Sequence, residues 1–250
     1  MLRGYRSFCY CLRVTRPEAA RRAVYGGLDV IDVPGEPSAS TVICLHGYGA
    51  NAADLAPLAV DLKLGAPARW IFPDAPAELE YGGIFNSRAW FPIDMAELER
   101  AQRLGGHRDF AALRPEGLTE ARKAVRALID ALGVSWDKVI VGGFSQGSMV
   151  ALDLCLHEQA PPQGLFLLSG NLVDEKNVRD RAKRLASMSF FQSHGKQDPV
   201  LSFEGARRLA DVLREAGLKG ELDSFDGGHA LPPDILMDLG RYLTSLQSPG

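Results

Sequence analysis

Short apolar runs alternate along the chain with stretches in which apolar residues recur every third or fourth position. Val42-Ile43-Cys44-Leu45 and Val139-Ile140-Val141 contain no polar residue. Runs of this kind read as strands buried on both faces, the mark of a parallel sheet. The pattern predicts strands at Leu28–Val33, Thr41–His46, Ala68–Phe72, Lys138–Phe144, Gly164–Ser169, Ser189–His194 and Glu221–Phe225. Pro34-Gly35-Glu36-Pro37 separates the first two as a turn. Between the strands the period changes to that of a helix. Pro115 starts a helix in which Leu118, Val125, Leu128, Ile129 and Leu132 share a face, and Gly133 ends it. Ser202–Ala216 groups Leu209, Val212 and Leu213, and Pro232–Leu246 groups Ile235, Leu236, Leu239, Tyr242 and Leu243. This alternation predicts an α/β fold, a mostly parallel doubly wound sheet with helices on both faces and right-handed crossovers. The segment Glu78–Arg114 is the least regular, and a long irregular stretch in a compact domain tends to be functional.

Composition narrows the class. The chain has 250 residues, 46% hydrophobic and 24% charged, which is a globular rather than a disordered balance. Its formal charge of −3 leaves no broad basic field, so nucleic acid is not expected as a partner. No apolar run approaches the roughly 18 residues of a membrane span, so no stable membrane insertion is expected. Cys9, Cys11, Cys44 and Cys155 show neither Cys-x-x-Cys nor zinc-ligand spacing. They read as small apolar side chains of a reduced, cytoplasmic protein. The start is basic: Arg3, Arg6, Arg13, Arg16, Arg21 and Arg22 face one acid, Glu18. Arg13 and Arg16 interrupt the apolar core that a signal peptide needs. Residues 1–25 are therefore expected as a loosely ordered extension on the edge of a single domain over 26–250. A targeting segment or an anion-binding arm are the alternatives.

The chemistry centres on Gly143-Phe144-Ser145-Gln146-Gly147, which follows a predicted strand and precedes a helix expected from near Ser148. This is G-x-S-x-G in the strand–turn–helix context that the motif requires. The tight turn exposes the serine hydroxyl at the sheet edge, and the helix N-terminus favours negative charge there. A serine needs a base. Of five histidines, His46 and His194 end strands before glycine and read as structural. His157 lies on the helix after the turn, and His107 in the irregular segment. His229 follows Gly227-Gly228 between the last strand and the last helix, where the order Ser…Asp…His puts the base. Asp198, in the loop after the preceding strand, is the expected acid. Asp226 shares the loop of His229 and would have difficulty turning back. Leu45-His46-Gly47-Tyr48-Gly49-Ala50-Asn51 is a glycine-spaced loop after a strand, suited to donate a backbone N–H to an oxyanion beside that of Gln146. It fits neither phosphate-binding glycine motif.

These segments together resemble the phospholipase/carboxylesterase family of α/β-hydrolases, which includes acyl-protein thioesterases and bacterial carboxylesterases. The resemblance rests on Leu45-His46-Gly47-Tyr48-Gly49, Phe72-Pro73-Asp74-Ala75-Pro76, Arg88-Ala89-Trp90-Phe91, Gly143–Gly147, His194-Gly195 through Asp198-Pro199-Val200, and Gly228-His229, in that order over about residues 28–246. It implies an α/β-hydrolase fold with Ser145 as nucleophile, Asp198 as orienting acid and His229 as base. It also implies Tyr48 as the oxyanion donor that accompanies Gln146. The chain departs from the family at Asn51, commonly aspartate, and at Ser148, commonly glycine.

The expectation is a cofactor-free carboxylesterase with no metal site, acting on a small-molecule ester or thioester of short to medium acyl chain. Trp90, Phe91, Phe85 and Ile84 are expected to bind the acyl group. The alternatives are an acyl-protein thioesterase or lysophospholipase acting on long chains and, more remotely, a catalytically silent binding module. A monomer or a homodimer fits equally well.

Overall fold

The computed structural model describes residues 20–62, 64, 67–79, 86–104 and 106–247. The strands are β1 (Arg21–Tyr25), β2 (Leu28–Val33), β3 (Thr41–Leu45), β4 (Arg69–Pro73), β5 (Ala77–Glu78), β6 (Arg88–Ala89), β7 (Val139–Phe144), β8 (Gly164–Leu168), β9 (Phe190–Gly195) and β10 (Leu222–Phe225). The helices are α1 (Ala52–Leu55), α2 (Leu58–Asp61), α3 (Met95–Arg103), α4 (Leu118–Leu132), α5 (Gln146–His157), α6 (Glu175–Arg181), α7 (Phe203–Glu215) and α8 (Pro233–Gln247). Eight strands form one sheet in the order β1-β2-β4-β3-β7-β8-β9-β10. β1 with β2 and β2 with β4 are antiparallel, and the other pairs are parallel.

Alternate residues of the central strands enter two separate cores, as a pleated sheet requires. Ile43, Leu45, Val139, Val141, Leu165 and Leu167 pack with the apolar faces of α4, α5 and α7. Val42, Cys44, Ile140, Phe166 and Leu168 pack with α1, α2 and α8. The continuous apolar runs are thus buried twice over. Cys44 and Cys155 are buried free thiols, and burial pushes both well above the ordinary thiol range.

The structure departs from the sequence expectation at three places. First, Arg21–Tyr25 is not part of a loose extension but pairs with β2 along its whole length. Its outward side chains hid the strand pattern. Asp32, fully buried, holds this edge: Arg21 Nη2 donates to it at 2.8 Å, Arg69 Nη2 at 2.9 Å and Tyr25 Oη at 3.1 Å. Residues 1–19 lie outside the described residues. Second, the Glu78–Arg114 segment holds β6 and the nine-residue α3. Asp94 Oδ1 accepts the N–H of Glu97 at 2.9 Å at the start of α3. Third, α4 starts at Leu118 rather than Pro115, because Gly117 at φ +80° takes the N-cap position.

The turn after β7 depends on two absent side chains. A Cβ on Gly143 would collide with the carbonyl of Leu45, and one on Gly147 with the carbonyls of Leu45 and His46. β3 and the start of α5 therefore approach closer than any other residue type allows. Gly147→Ala is expected to cost about 1–3 kcal/mol, as overpacking against unyielding backbone does. Urea unfolding measures it, and a variant as stable as the parent would show that this approach is not tight.

Candidate active site

Ser145 joins β7 to α5 at φ +54°, ψ −116°, a region that non-glycine residues rarely occupy. Three hydrogen bonds hold it there. Its N–H donates to Leu168 O at 2.8 Å, and its carbonyl accepts from Ser148 N at 3.1 Å and Ser148 Oγ at 2.7 Å. Strain of this kind persists only where the surroundings over-determine it. Helix α5 begins at Gln146, two residues earlier than the sequence suggested, so its N-terminal dipole starts immediately after the serine.

Gln146 is nearly fully buried, and both ends of its amide are used. Oε1 accepts Trp90 N–H at 2.9 Å, and Nε2 donates to Phe91 O at 2.7 Å. Trp90 Nε1 in turn donates to His46 O at 2.9 Å. His46 Nε2 accepts Ala75 N–H at 3.0 Å, so its proton sits on Nδ1, which donates to Gly47 O at 2.7 Å. Burial pushes the His46 imidazole down to about 4, so it is neutral at physiological pH. This chain of bonds ties the serine turn, the strand β6 and the loop after β3 into one body.

That loop lies against the serine. A Cβ on Gly47 would come within 3.3 Å of Phe144 Cδ1 and 3.4 Å of Ser145 Cβ. Gly49 N donates to Arg88 O at 2.8 Å, and Arg88 N donates to Ala50 O at 3.0 Å. Tyr48, the expected second oxyanion donor, sits between these anchored residues.

The loops after β9 and β10 supply the remaining groups. His229 Nδ1 is 2.7 Å from Asp198 Oδ2, and both side chains are buried. Asp198 Oδ1 accepts Val200 N at 2.8 Å and Leu201 N at 3.0 Å. Burial by itself would raise Asp198. The hydrogen bond and charge of His229, the Leu201 N–H and His194 outweigh it, and the carboxyl stays below its ordinary range. The Phe144 ring packs 4.8 Å from the His229 ring, which places the imidazole beside the serine turn. Asp226 is exposed and paired with Lys196 Nζ at 3.0 Å.

The structure thus brings Ser145, Gln146, Tyr48, Asp198 and His229 to the carboxyl ends of β7, β3, β9 and β10. The expected acyl-binding residues fare differently. Trp90 and Phe91 are 2% and 1% exposed and belong to the core. The Trp90 ring packs 5.5 Å from the His46 ring and is anchored by its indole N–H. Phe91 borders a cavity of about 390 Å³ that runs along residues 91–94, 108–110 and 113–116. Ile84 and Phe85 lie outside the described residues. Two contacts escaped the sequence reading. His107 Nε2 is 2.8 Å from Asp198 O, so the irregular segment touches the loop of the acid. His194 sits beside Asp198 as well. Among the described residues no group of three or more His, Cys, Asp or Glu side chains gathers to hold a metal ion, and no helix is long and apolar enough to cross a membrane.

Known proteins agree with this picture at the level of family. The profile of a family described as Phospholipase/Carboxylesterase matches residues 27–247. The acyl-protein thioesterase 1 of Candida albicans is 24% identical over 228 residues, covering 86% of this chain and 96% of that protein. That of Cryptococcus neoformans is 29% identical over 188 residues, covering 72% and 75%. Among solved structures, esterase PE8 superposes with a TM-score of 0.72 at 26% identity, covering 86% of this chain and 97% of that one.

The neutral, buried His46 gives the fold a defined pH dependence. The unfolded chain takes up a proton there from about pH 6.5 downward, the folded chain only near 4. Its contribution is complete above the unfolded value and is lost as the pH falls from there toward 4, on the order of 3 kcal/mol. Urea unfolding between pH 7.5 and 4.5 should show a steeper loss for the parent than for His46→Gln. Parallel curves would mean that His46 is not held neutral.

Proposed function

The chain belongs to the phospholipase/carboxylesterase family, and from that membership we propose that it is a serine hydrolase that cleaves carboxylic esters through an acyl-enzyme on Ser145. Ser145 Oγ attacks the acyl carbonyl while His229 Nε2 takes its proton. The N–H groups of Tyr48 and Gln146 hold the oxyanion. His229 returns the proton to the departing alcohol. Water, deprotonated by His229, then attacks the acyl carbon and releases the acid and Ser145. Asp198 keeps the His229 proton on Nδ1 and stabilises the imidazolium. No step draws on a metal or a cofactor.

One observation carries the reading: the 2.7 Å contact between His229 Nδ1 and Asp198 Oδ2, set beside a serine at positive φ on a helix N-terminus. Nothing in the packing of the core requires a buried carboxylate–imidazole pair there. A silent binding module would have no use for it.

The acyl group is assigned to short and medium chains. The cavity bordered by Phe91 carries further apolar wall from Ile93, Phe110 and Leu113, interrupted by Arg108 and Arg114. Charged groups so close together suit a brief apolar stretch rather than a long lipid. A second reading has its own support. The curated relatives named above are acyl-protein thioesterases, which favours a thioester with a longer chain.

Ser145→Ala should lower kcat on p-nitrophenyl butyrate by about 10⁴-fold or more and abolish labelling by a fluorophosphonate, since nucleophile and base act as a unit. Asp198→Asn should lose about 10⁴-fold, while Asp226→Asn, at a surface ion pair, should leave kcat unchanged. Damage from Asp226→Asn without damage from Asp198→Asn would reassign the acid.

Chain length separates the two substrate readings. kcat/KM on p-nitrophenyl esters should rise from acetate to about octanoate and then fall. Ile93→Ala should weaken octanoate several-fold more than acetate, as each buried methylene is worth about 0.8 kcal/mol. An equal loss on both esters would remove the cavity from the acyl site. A steady rise to palmitoyl thioesters would favour the thioesterase reading.

A further inference from the structure

His194 lies in β9, four residues before Asp198, with a fully buried side chain. Its Nε2 faces two oxygens, Leu201 O at 3.0 Å and Asp198 Oδ2 at 3.3 Å. Both are acceptors, so Nε2 carries a proton. Nδ1 is buried, and the Gly170 backbone is the ring's other hydrogen-bonding neighbour. Burial lowers the ring's affinity for a second proton, and the neutral imidazole keeps its one proton on Nε2, aimed at the loop of the acid.

Leu201 closes the circuit. Its N–H donates to Asp198 Oδ1 at 3.0 Å, and its carbonyl accepts from His194. The turn that cradles one carboxylate oxygen is thus pinned by the residue that lies against the other. Oδ2 itself faces two imidazoles, His229 Nδ1 at 2.7 Å and His194 Nε2 at 3.3 Å.

We infer that His194 is a positioning residue for the acid: a donor that fixes Leu201 and draws charge from Asp198 Oδ2, and so sets how strongly Asp198 holds the imidazolium of His229. The inference rests on the proposed pairing of Asp198 with His229 in catalysis. A positive dipole beside Oδ2 makes the carboxylate less basic and weakens its pull on His229. The other groups around the pair do not supply this. The Phe203 ring of α7 lies 6.3 Å from the His194 ring and is uncharged. The Gly170 backbone is a hydrogen-bonding neighbour of the His194 ring and carries no net charge. His107 reaches only the main-chain oxygen of Asp198. Burial disfavours a second proton on His194, and with it a second cation beside His229.

The experiment is the pH profile of kcat/KM on p-nitrophenyl butyrate for the parent, His194→Leu and His194→Gln, with Ser145→Ala alongside. His194→Leu should move the acid limb upward by about 0.5 pH unit, a loss of about threefold on that limb. His194→Gln, whose amide N–H reaches the same place, should return the limb to the parent position. A purely structural role would lower the plateau or the melting temperature and leave the limb where it is, and that result would overturn the proposal. Should His194→Leu fail to fold, ¹⁵N NMR of the parent decides: His194 must stay neutral with its proton on Nε2 across the whole acid limb. Protonation of His194 over that range would equally overturn it. An unshifted limb with an inert Ser145→Ala removes only this role of His194. An active Ser145→Ala removes the hydrolase reading, and this role with it.

Discussion

The carbonyl of Leu45 touches the turn around Ser145 at both of its glycines, and the geometry of the site follows from that approach. β3 and β7 are adjacent parallel strands, so their carboxyl ends emerge side by side. With no Cβ on Gly143 or Gly147, the first turn of α5 can sit directly over the end of β3. The loop that leaves β3 then has nowhere to run except across the serine. Proximity between the serine and the loop of Tyr48 is therefore a property of backbone packing rather than of any side chain.

Buried polar groups fix the rest. Gln146, Trp90 and His46 exchange hydrogen bonds with three separate segments and leave little freedom in any of them. Each group is satisfied, which is the condition for a buried polar network to rigidify rather than destabilise. The acid is treated the same way, with backbone donors on one oxygen and imidazoles beside the other. The site is built from parts that cannot relax independently.

The fold was legible wherever burial was two-sided. Val42–Leu45 and Val139–Val141 announced central strands because every residue is apolar. β1 was not legible, because Arg22 and Val24 face solvent while Ala23 and Tyr25 are only partly buried against the core, beside the charged Asp32. The four-residue α1 was also missed, although Asn51 and Asp54 form a capping box at its start. Of the proposed site, Ser145, Asp198 and His229 could be named from the order of loops after strands. Trp90 was read for its apolarity and assigned to substrate, yet its indole N–H decides its place. A sequence shows that a residue is apolar but not which carbonyl awaits its one donor. The neighbours His107 and His194 were invisible for a related reason: each meets Asp198 across a contact that no spacing encodes.

The two ends of the sheet bear on how the molecule behaves in a crowd. An outermost strand exposes a row of unpaired amides and carbonyls, a template on which another chain can assemble. Here one border is β1, whose Arg21 and Arg22 stand exposed, and the other is β10, only four residues long. A strand approaching the first border must bring its backbone past two guanidinium groups. At the second it finds too short a ladder to hold. The apolar centre of the sheet, the part best able to drive fibrous aggregation, is thus flanked on both sides by strands that discourage self-association.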